Sequence, residues 1–186
     1  MDRTFFITSV TAQRRTLFQR GATADLLVDV FLHYREQGKY LLHEFVVMPD
    51  HFHALITPAD EISLERAVQF IKGGFSFRLK SSLPVWQASF TNHRIRDDRD
   101  FEQHREYIRT NPVRAGLAAR VEDYTYSSAA GKFSPDAMPP GLKPLLAGRR
   151  TPGLKALSKT LNAALKGRSS TVAPNSSQLA DFTQDG

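Results

Sequence analysis

The sequence predicts an α+β protein with a ferredoxin-like antiparallel sheet, helices on one face of that sheet, and one further helix appended to it. Two observations support this fold class. At 186 residues, of which 41% are hydrophobic, the chain can bury one ordinary core. Its apolar patterns follow one another as strand, helix, strand, strand, helix, strand, which is the split order of ferredoxin-like domains.

The first strand and the first helix have different patterns. β-Branched and aromatic residues over 4–10 predict a buried strand. Over 24–37 the apolar residues recur on one helical face, with Thr23 or Asp25 as the candidate cap and Gly38 as the stop. We therefore expect the chain to leave the sheet through a helix and to return after Gly38.

The next two strands should form a hairpin. Residues 40–47 and 51–57 are apolar runs of strand length, and Pro49-Asp50 between them supplies turn chemistry. So short a connection makes the two strands antiparallel neighbours.

A second helix is predicted over 63–81, because Ser63 begins a capping pattern and apolar residues follow at helical spacing. Gly73 and Gly74 lie in its middle, where each costs on the order of 1 kcal/mol relative to alanine. Either another backbone or a nucleic-acid strand approaches closely there, or the fold tolerates a weak helix. Residues 85–90 predict the fourth strand.

A third helix is predicted over 97–110, since three aspartates in its first turn complement the helix dipole. Asn111 and Pro112 should end it, because the residue before a proline is pushed out of the helical region. On this helix Tyr107 shares a face with His104 and with Asn111.

Composition divides the chain into a globular domain over 1–132 and a basic, largely disordered tail over 133–186. Residues 141–170 carry seven basic side chains and no acidic one, whereas residues 1–140 have a net charge of only +1. A basic arm of this kind commonly contacts nucleic-acid phosphates. The alternative is a solvated tail, with a short helix over 154–165.

Composition also argues against several classes of protein. The chain has no cysteine, which excludes disulfides, thiolate metal sites and cysteine nucleophiles. It has neither a signal-peptide pattern nor an apolar run of membrane length. We expect a soluble cytoplasmic protein, associated with the nucleoid, and no membrane partner.

The strongest chemical feature is a pair of histidines, His51 and His53, one residue apart on the predicted third strand. Because side chains alternate along a strand, both imidazoles point to the same face of the sheet. Two neutral imidazoles on a rigid strand form half of a site for a divalent metal. Two buried, hydrogen-bonded histidines without a metal are the alternative.

Four motifs in this order resemble the REP-associated tyrosine transposases, domesticated relatives of bacterial insertion-sequence transposases with an HUH motif and a single catalytic tyrosine. The motifs lie at 47–53, 85–87, 93–97 and 107–113. The resemblance covers roughly residues 4–130, and no motif falls in the tail.

The resemblance implies a chemistry. Tyr107 would attack a phosphodiester in line, leaving a 5′-phosphotyrosine on the protein and a free 3′-hydroxyl on the DNA. His51 and His53 would hold Mg²⁺ or Mn²⁺ against the scissile phosphate. What removes the proton from Tyr107 does not follow from the sequence.

The third metal ligand is the least constrained residue of the implied site. Related transposases carry a glutamine one helical turn after the tyrosine, and Asn111 occupies that position here. His93 and His104 are the other candidates. Alternatively, Asn111 serves only as a helix stop.

By the same resemblance, the partner is single-stranded DNA that forms hairpins, in particular repetitive extragenic palindromes. Basic grooves and stacked aromatic rings bind such strands. The candidate phosphate contacts are Lys72, Arg78, Lys80, Arg94, Arg96 and Arg114, and the stacking candidates are Phe75, Phe77 and Trp86. The basic arm either holds the hairpin stem or folds over the active site. The resemblance implies a monomer, with a dimer that exchanges the tyrosine helix as the alternative.

Three other functions compete with this interpretation. A replication or relaxase-type nicking enzyme would share the chemistry, but a longer chain with helicase or primase segments is expected for it. A non-catalytic hairpin-binding protein would retain the same residues as relics. An RNA-binding module on this fold would carry an aromatic signature on a central strand, and 72–75 falls in a helix instead.

Overall fold

The computed structural model of the protein describes residues 3–138. The strands are β1 (Phe5–Val10), β2 (Tyr40–Met48), β3 (His51–Pro58) and β4 (Thr91–Arg94). The α-helices of this part of the chain are α1 (Gly21–Glu36), α2 (Leu64–Leu79) and α3 (Asp98–Arg114). The strands form one antiparallel sheet in the order β2-β3-β1-β4, which confirms the predicted fold class.

The main core lies between one face of the sheet and the helices α1 and α2. Leu27 and Phe31 of α1 and Ile71 and Phe75 of α2 are fully buried against inward-facing strand residues such as Phe52. Burial of each such side chain stabilises the fold by about 1.5–3 kcal/mol. The helical spacing of these residues in the sequence therefore corresponds to the buried face of each helix.

Close packing between α1 and α2 explains one glycine of the α2 pair. A Cβ atom at Gly74 would lie 2.5 Å from Cε2 of Tyr34 on α1, so any side chain at this position would displace the Tyr34 ring. A Cβ at Gly73 would meet nothing within 4 Å. Contacts within the described residues therefore do not account for Gly73.

The third helix packs on the opposite face of the sheet. Phe101 and Ile108 of α3 pack against Phe6 of β1 and Leu55 of β3 in a second apolar cluster. Alternate residues of β1 and β3 thus serve the two cores, as expected for strands buried on both faces. This helix is the appended element of the prediction, and it covers the face onto which the histidines of β3 point.

The prediction of a fourth strand over 85–90 is wrong, since the strand that completes the sheet is β4. Residues 85–87 run beside the end of β1 through two backbone hydrogen bonds and one isolated bridge. Trp86 packs against Phe18, Phe52 and Phe75, so its apolar character reflects core packing rather than strand pairing. The apolar pattern of the sequence does not predict β4, because this strand is short and half-exposed at the edge of the sheet.

Two predicted helix boundaries also differ from the structure. Helix α1 begins a turn early, with Arg20 at its N-cap and no side-chain capping bond, so neither Thr23 nor Asp25 caps it. Helix α3 continues through Pro112 to Arg114, whereas the sequence predicted an end at 110. Pro112 lies in the last turn and is buried, so the loss of one backbone hydrogen bond is offset by packing.

Other boundary predictions are confirmed. Ser63 caps α2 by accepting a hydrogen bond from the Arg66 amide, and Asp97 caps α3 by accepting one from the Asp100 amide. Gly38, at φ +66°, follows α1 in the left-handed conformation that glycine favours.

The segment after α3 returns along strand β2. The Val47 amide donates to the Tyr126 carbonyl, and the Tyr124 hydroxyl donates to the Val47 carbonyl. Further along, Leu42 exchanges hydrogen bonds with Asp136, whose carboxylate also pairs with Arg35. Residues up to 138 thus contact the globular domain.

The domain boundary after residue 132 stays a prediction. The basic arm over 141–170 and the short helix over 154–165 lie outside the described residues. None of the described helices combines the length and the apolar character needed to cross a membrane.

Candidate active site

The two histidines of the HUH-like motif converge on one point. His51 and His53 project from the same face of β3, and their Nε2 atoms lie 3.2 Å apart. Two ligands bound at adjacent positions of one divalent ion, each about 2.0–2.2 Å from it, are separated by roughly this distance. The pair therefore has the geometry of two ligands to a single ion.

Each imidazole is oriented by a partner on its other nitrogen. Nδ1 of His51 lies 2.6 Å from Oδ1 of Asp50, and Nδ1 of His53 lies 2.7 Å from Oγ1 of Thr8. A carboxylate can only accept, so Nδ1 of His51 donates to it, and in the neutral imidazole Nε2 is then the unprotonated nitrogen. The Thr8 hydroxyl can donate or accept, so it accommodates both neutral tautomers of His53.

The burial of His53 keeps it neutral. This side chain is almost completely buried, and burial lowers its pKa well below the ordinary value, with a smaller effect from neighbouring His51. A neutral imidazole is the form that binds a metal ion. Asp50 is itself fixed by an ion pair with Arg14, 2.8 Å between Nη1 and Oδ2.

Tyr107 lies beside this pair. Its ring meets His53 edge to face, with 5.3 Å between the ring centroids, and it meets Phe6 in the same way at 5.9 Å. Phe6 also stacks on His53. Helix α3 therefore brings the predicted nucleophile onto the predicted metal-binding strand of the same chain.

Two residues of the last turn of α3 act on the Tyr107 hydroxyl. Burial raises the pKa of Tyr107, whereas a side-chain hydrogen bond with Asn111 and the charge of Arg114 oppose that rise. The Arg114 guanidinium lies over the tyrosine ring, 5.6 Å from its centroid. Because α3 continues through Pro112, Asn111 stays helical and keeps its side chain on the face of Tyr107.

His93 and His104, the other candidates for the third ligand, belong to a separate cluster around Asp100. Nε2 of His93 lies 2.9 Å from Oδ2 of this carboxylate, and Nδ1 of His104 lies 3.2 Å from Oδ1. Arg96 adds both its amide and its guanidinium to Oδ2. The cluster joins β4 to the first turns of α3, and Phe6 separates His104 from the histidine pair.

The six predicted DNA contacts are scattered. Arg114 lies at Tyr107, and Arg96 is engaged by Asp100. The Lys72 ammonium is 2.7 Å from the Gln87 carbonyl and 3.5 Å from the next two carbonyls, so it holds the loop before β4. The remaining three, Arg78, Lys80 and Arg94, are exposed at the end of α2 and on β4.

The sequence predicts no role for Asp50 or Thr8 in orienting the histidines. Thr8 is a polar residue inside the apolar first strand, and this is the one sign in the sequence that it has a special role. That its partner is His53 follows only from the register of β1 and β3. Asp50 directly precedes His51, and the sequence pattern accounts for it as a turn residue.

Comparison with known proteins identifies relatives of this chain. The family model for IS200-like transposases matches residues 4–111. A Haemophilus influenzae protein assigned as a REP-associated tyrosine transposase is 27% identical over 134 residues, covering 61% of this chain and 76% of that protein. The REP-associated tyrosine transposase of Escherichia coli K12 is 28% identical over 106 residues, 55% of this chain and 62% of that protein.

A solved structure also matches. The structure of a REP-associated tyrosine transposase bound to a REP hairpin has a TM-score of 0.61 and a sequence identity of 24%. The match covers 82% of this chain and 95% of that chain. The two proteins share the same fold.

Proposed function

The chain belongs to the IS200-like transposase family, and on this premise we propose that it cleaves and rejoins single-stranded DNA through a covalent bond to Tyr107. The observation that carries the proposal is the contact of Tyr107 with His53, 5.3 Å between ring centroids, beside Asn111. Similarity to REP-associated tyrosine transposases, one of them bound to a REP hairpin, makes hairpin-forming repetitive extragenic palindromes the proposed substrate.

The proposed reaction is a transesterification. The Tyr107 oxygen attacks the phosphorus, a new oxygen–phosphorus bond forms, and the bond from phosphorus to the 3′-oxygen breaks. The hydroxyl proton of Tyr107 is lost, the 3′-oxygen takes up a proton, and the phosphate stays on the tyrosine as a 5′-phosphotyrosine. Because the energy of the phosphodiester is conserved in this link, a 3′-hydroxyl can reverse the step and rejoin the strand without ATP.

Asn111 and Arg114 help Tyr107 to become a nucleophile. A free tyrosine has a pKa of about 10, and burial raises the pKa of Tyr107 further. The hydrogen bond with Asn111 and the positive charge of Arg114 favour the phenolate over the phenol. Arg114 is also near enough to the tyrosine ring to neutralise the phosphate that approaches it.

The donor atoms of the site fit a divalent ion. His51 and His53 would hold Mg²⁺ or Mn²⁺ through Nε2, and the carbonyl oxygen of Asn111 is free to be the third ligand when its amide nitrogen donates to Tyr107. The ion supplies Lewis-acid stabilisation of phosphate charge when bound. Asp50 and Thr8 hold both imidazoles in the orientation that this requires.

The site needs residues of one chain only. Tyr107, His53 and Asn111 meet within the same molecule, so no exchange of helix α3 between copies is required. We therefore propose that the protein acts as a monomer, at the nucleoid where its palindromic substrates lie.

The test uses end-labelled single strands carrying palindromes from beside the gene, incubated with Mg²⁺ or Mn²⁺ and separated on a denaturing gel. We expect a metal-dependent protein–DNA adduct for the natural protein and none for Tyr107→Phe. If both proteins shift the DNA equally on a native gel and neither forms an adduct, the chain is a hairpin-binding protein without this activity.

A further inference from the structure

A groove on the far side of the molecule from Tyr107 has the features of a binding site. It runs between α1 and α2 on their outer surface and has a volume of about 410 Å³. Volumes of this order are typical of ligand sites. The residues that line it are His33, Tyr34, Arg66, Gln69, Phe70, Gly73, Gly74, Phe77 and Arg78.

Aromatic rings form much of this groove. Phe77 is 84% exposed, which is unusual for a phenylalanine on a helix whose opposite face fills the core. Two turns earlier on α2, Phe70 packs on Tyr34 with 5.2 Å between ring centroids. Phe77 therefore presents an open ring on this side of α2, where a planar group can stack.

Cations surround the rings. The Arg66 guanidinium lies 4.9 Å from the centroid of the Phe70 ring, and the Lys39 ammonium lies 5.5 Å from it. Arg78 lies at the other end of the groove. None of the lining residues is acidic, and within residues 3–138 neither Arg66 nor Arg78 forms an ion pair.

Gly73 lies between Phe70 and Phe77 on the lining of the groove. Compared with alanine, a glycine in mid-helix lowers the equilibrium constant for folding by up to about tenfold. Gly74 is explained by Tyr34, but nothing in the described part of the chain occupies the space beside Gly73. The missing side chain leaves the helix backbone open to close approach from outside.

We propose that this groove binds single-stranded DNA that flanks the hairpin, with a base stacked on Phe77, phosphates at Arg66 and Arg78, and the sugar–phosphate chain passing Gly73. Alternating aromatic and cationic groups are the pattern that single strands require, because every base has a face that can stack. A symmetric contact with a second copy would instead place the arginines of two grooves against one another.

The inference rests on the proposed function and extends it. The groove and the histidine pair lie on opposite sides of the sheet, so the strand held here is not the segment that Tyr107 would cleave. It is DNA further along the same strand, which reaches the groove only by passing around the sheet. The groove would thus select hairpins that have a long unpaired flank.

The experiment compares a minimal hairpin with the same hairpin carrying single-stranded extensions of increasing length on either end. We expect affinity for the natural protein to rise beyond a threshold length. Phe77→Ala should reduce that gain about fivefold or more, the loss expected for one stacked base. Arg78→Gln should lower the slope of log affinity against log salt by about 0.7, corresponding to one phosphate contact.

Gly73→Ala supplies a variant that cannot be dismissed as unfolded. Its Cβ has free space and alanine favours helices, so its melting temperature should rise while its affinity for the extended hairpin falls. Leu83→Ala is the control, since this side chain is 60% exposed and lies outside the groove. It should bind all the oligonucleotides as the natural protein does.

The outcomes separate the two proposals. If the natural protein gains affinity from the extension and the groove variants keep that gain in full, the groove inference is wrong and the transposase function stands. If the natural protein gains nothing at any length but forms the Tyr107 adduct, the groove inference is equally overturned. If Phe77→Ala changes the mass of the particle in solution instead of DNA affinity, the groove is a contact between copies.

Discussion

Tyr107 of helix α3 and His53 of strand β3 meet within one chain, with 5.3 Å between their ring centroids. The contact is part of an apolar cluster that includes Phe6 and Ile108, so packing holds the two together before any substrate binds. The proposed nucleophile, fixed in this way, would need little reorganisation to meet a phosphate bound at the histidines.

This contact predicts that defective copies cannot rescue one another. A mixture of Tyr107→Phe and His53→Ala should form no DNA adduct, because each molecule lacks one half of its own site. Adduct yield on a denaturing gel checks this, with each variant alone as the background. Recovery of up to a quarter of the natural activity would instead mean that copies exchange α3.

Asp50 should control metal affinity without touching the metal. Its carboxylate accepts the hydrogen bond from Nδ1 of His51 and so leaves Nε2 available to the metal. Asp50→Asn should weaken this preference and lower the affinity for Mn²⁺ by about 10–100-fold. Titration calorimetry with Mn²⁺ alone measures this effect. Arg14→Gln, which removes only the outer ion pair to Asp50, should cost much less. Unchanged Mn²⁺ affinity in the Asn variant would contradict the orienting role.

Arg114 should shift the pH dependence of cleavage. Its positive charge opposes the rise in the pKa of Tyr107 that burial causes, so Arg114→Gln leaves that pKa higher. The phenolate then forms only at higher pH, and the alkaline rise of the cleavage rate moves in the same direction. Single-turnover rates across pH measure this shift. Arg114→Lys keeps the positive charge, so its pH profile should lie close to that of the natural protein. A uniform fall in rate with an unchanged profile would show that Arg114 acts only on the substrate.

The Asp100 cluster should make stability depend on pH in the acid range. Burial raises the pKa of Asp100, but hydrogen bonds from His104, His93 and Arg96 outweigh it and hold the pKa well below the usual value. The stabilisation is therefore complete above about pH 4, near the pKa of an unfolded aspartate, and is lost as the pH falls further.

The variant that tests this is Asp100→Asn. At pH 7 we expect a loss on the order of 2 kcal/mol in the free energy of unfolding, because a buried carboxylate is replaced by a neutral amide that accepts fewer hydrogen bonds from its partners. Urea titrations at a series of pH values should show the difference between the two proteins shrinking below pH 4. A difference that stays constant down to the lowest pH would mean that the ionised carboxylate contributes nothing.

Much of the architecture followed from short-range patterns. Alternation along β3 was sufficient to place His51 and His53 on one face. The capping pattern at Ser63 and the aspartates that begin at Asp97 located the starts of two helices. The resemblance to REP-associated tyrosine transposases that the four motifs predicted is confirmed by the family match over residues 4–111 and by the two relatives.

The errors share a physical cause. Pattern reasoning treats residues 85–90 as a strand because they are apolar, whereas strand β4 is polar and is defined by its pairing with β1. Pro112 predicted a helix end on local sterics, but the buried packing of α3 prevailed. The partnership of Thr8 with His53 depends on cross-strand register, which no local pattern contains.

Strand β2 is an outer strand of the sheet, and the segment over 124–136 covers it with backbone and side-chain hydrogen bonds. An uncovered outer strand is a template on which other chains can add, and it promotes aggregation. With β2 covered, the other outer strand is β4, to which no further strand pairs within residues 3–138; it has four residues and alternates half-buried with exposed side chains. Truncation before residue 124 should therefore expose the unpaired backbone N–H and C=O groups of β2. Copies of the shortened protein should then associate by pairing their β2 strands.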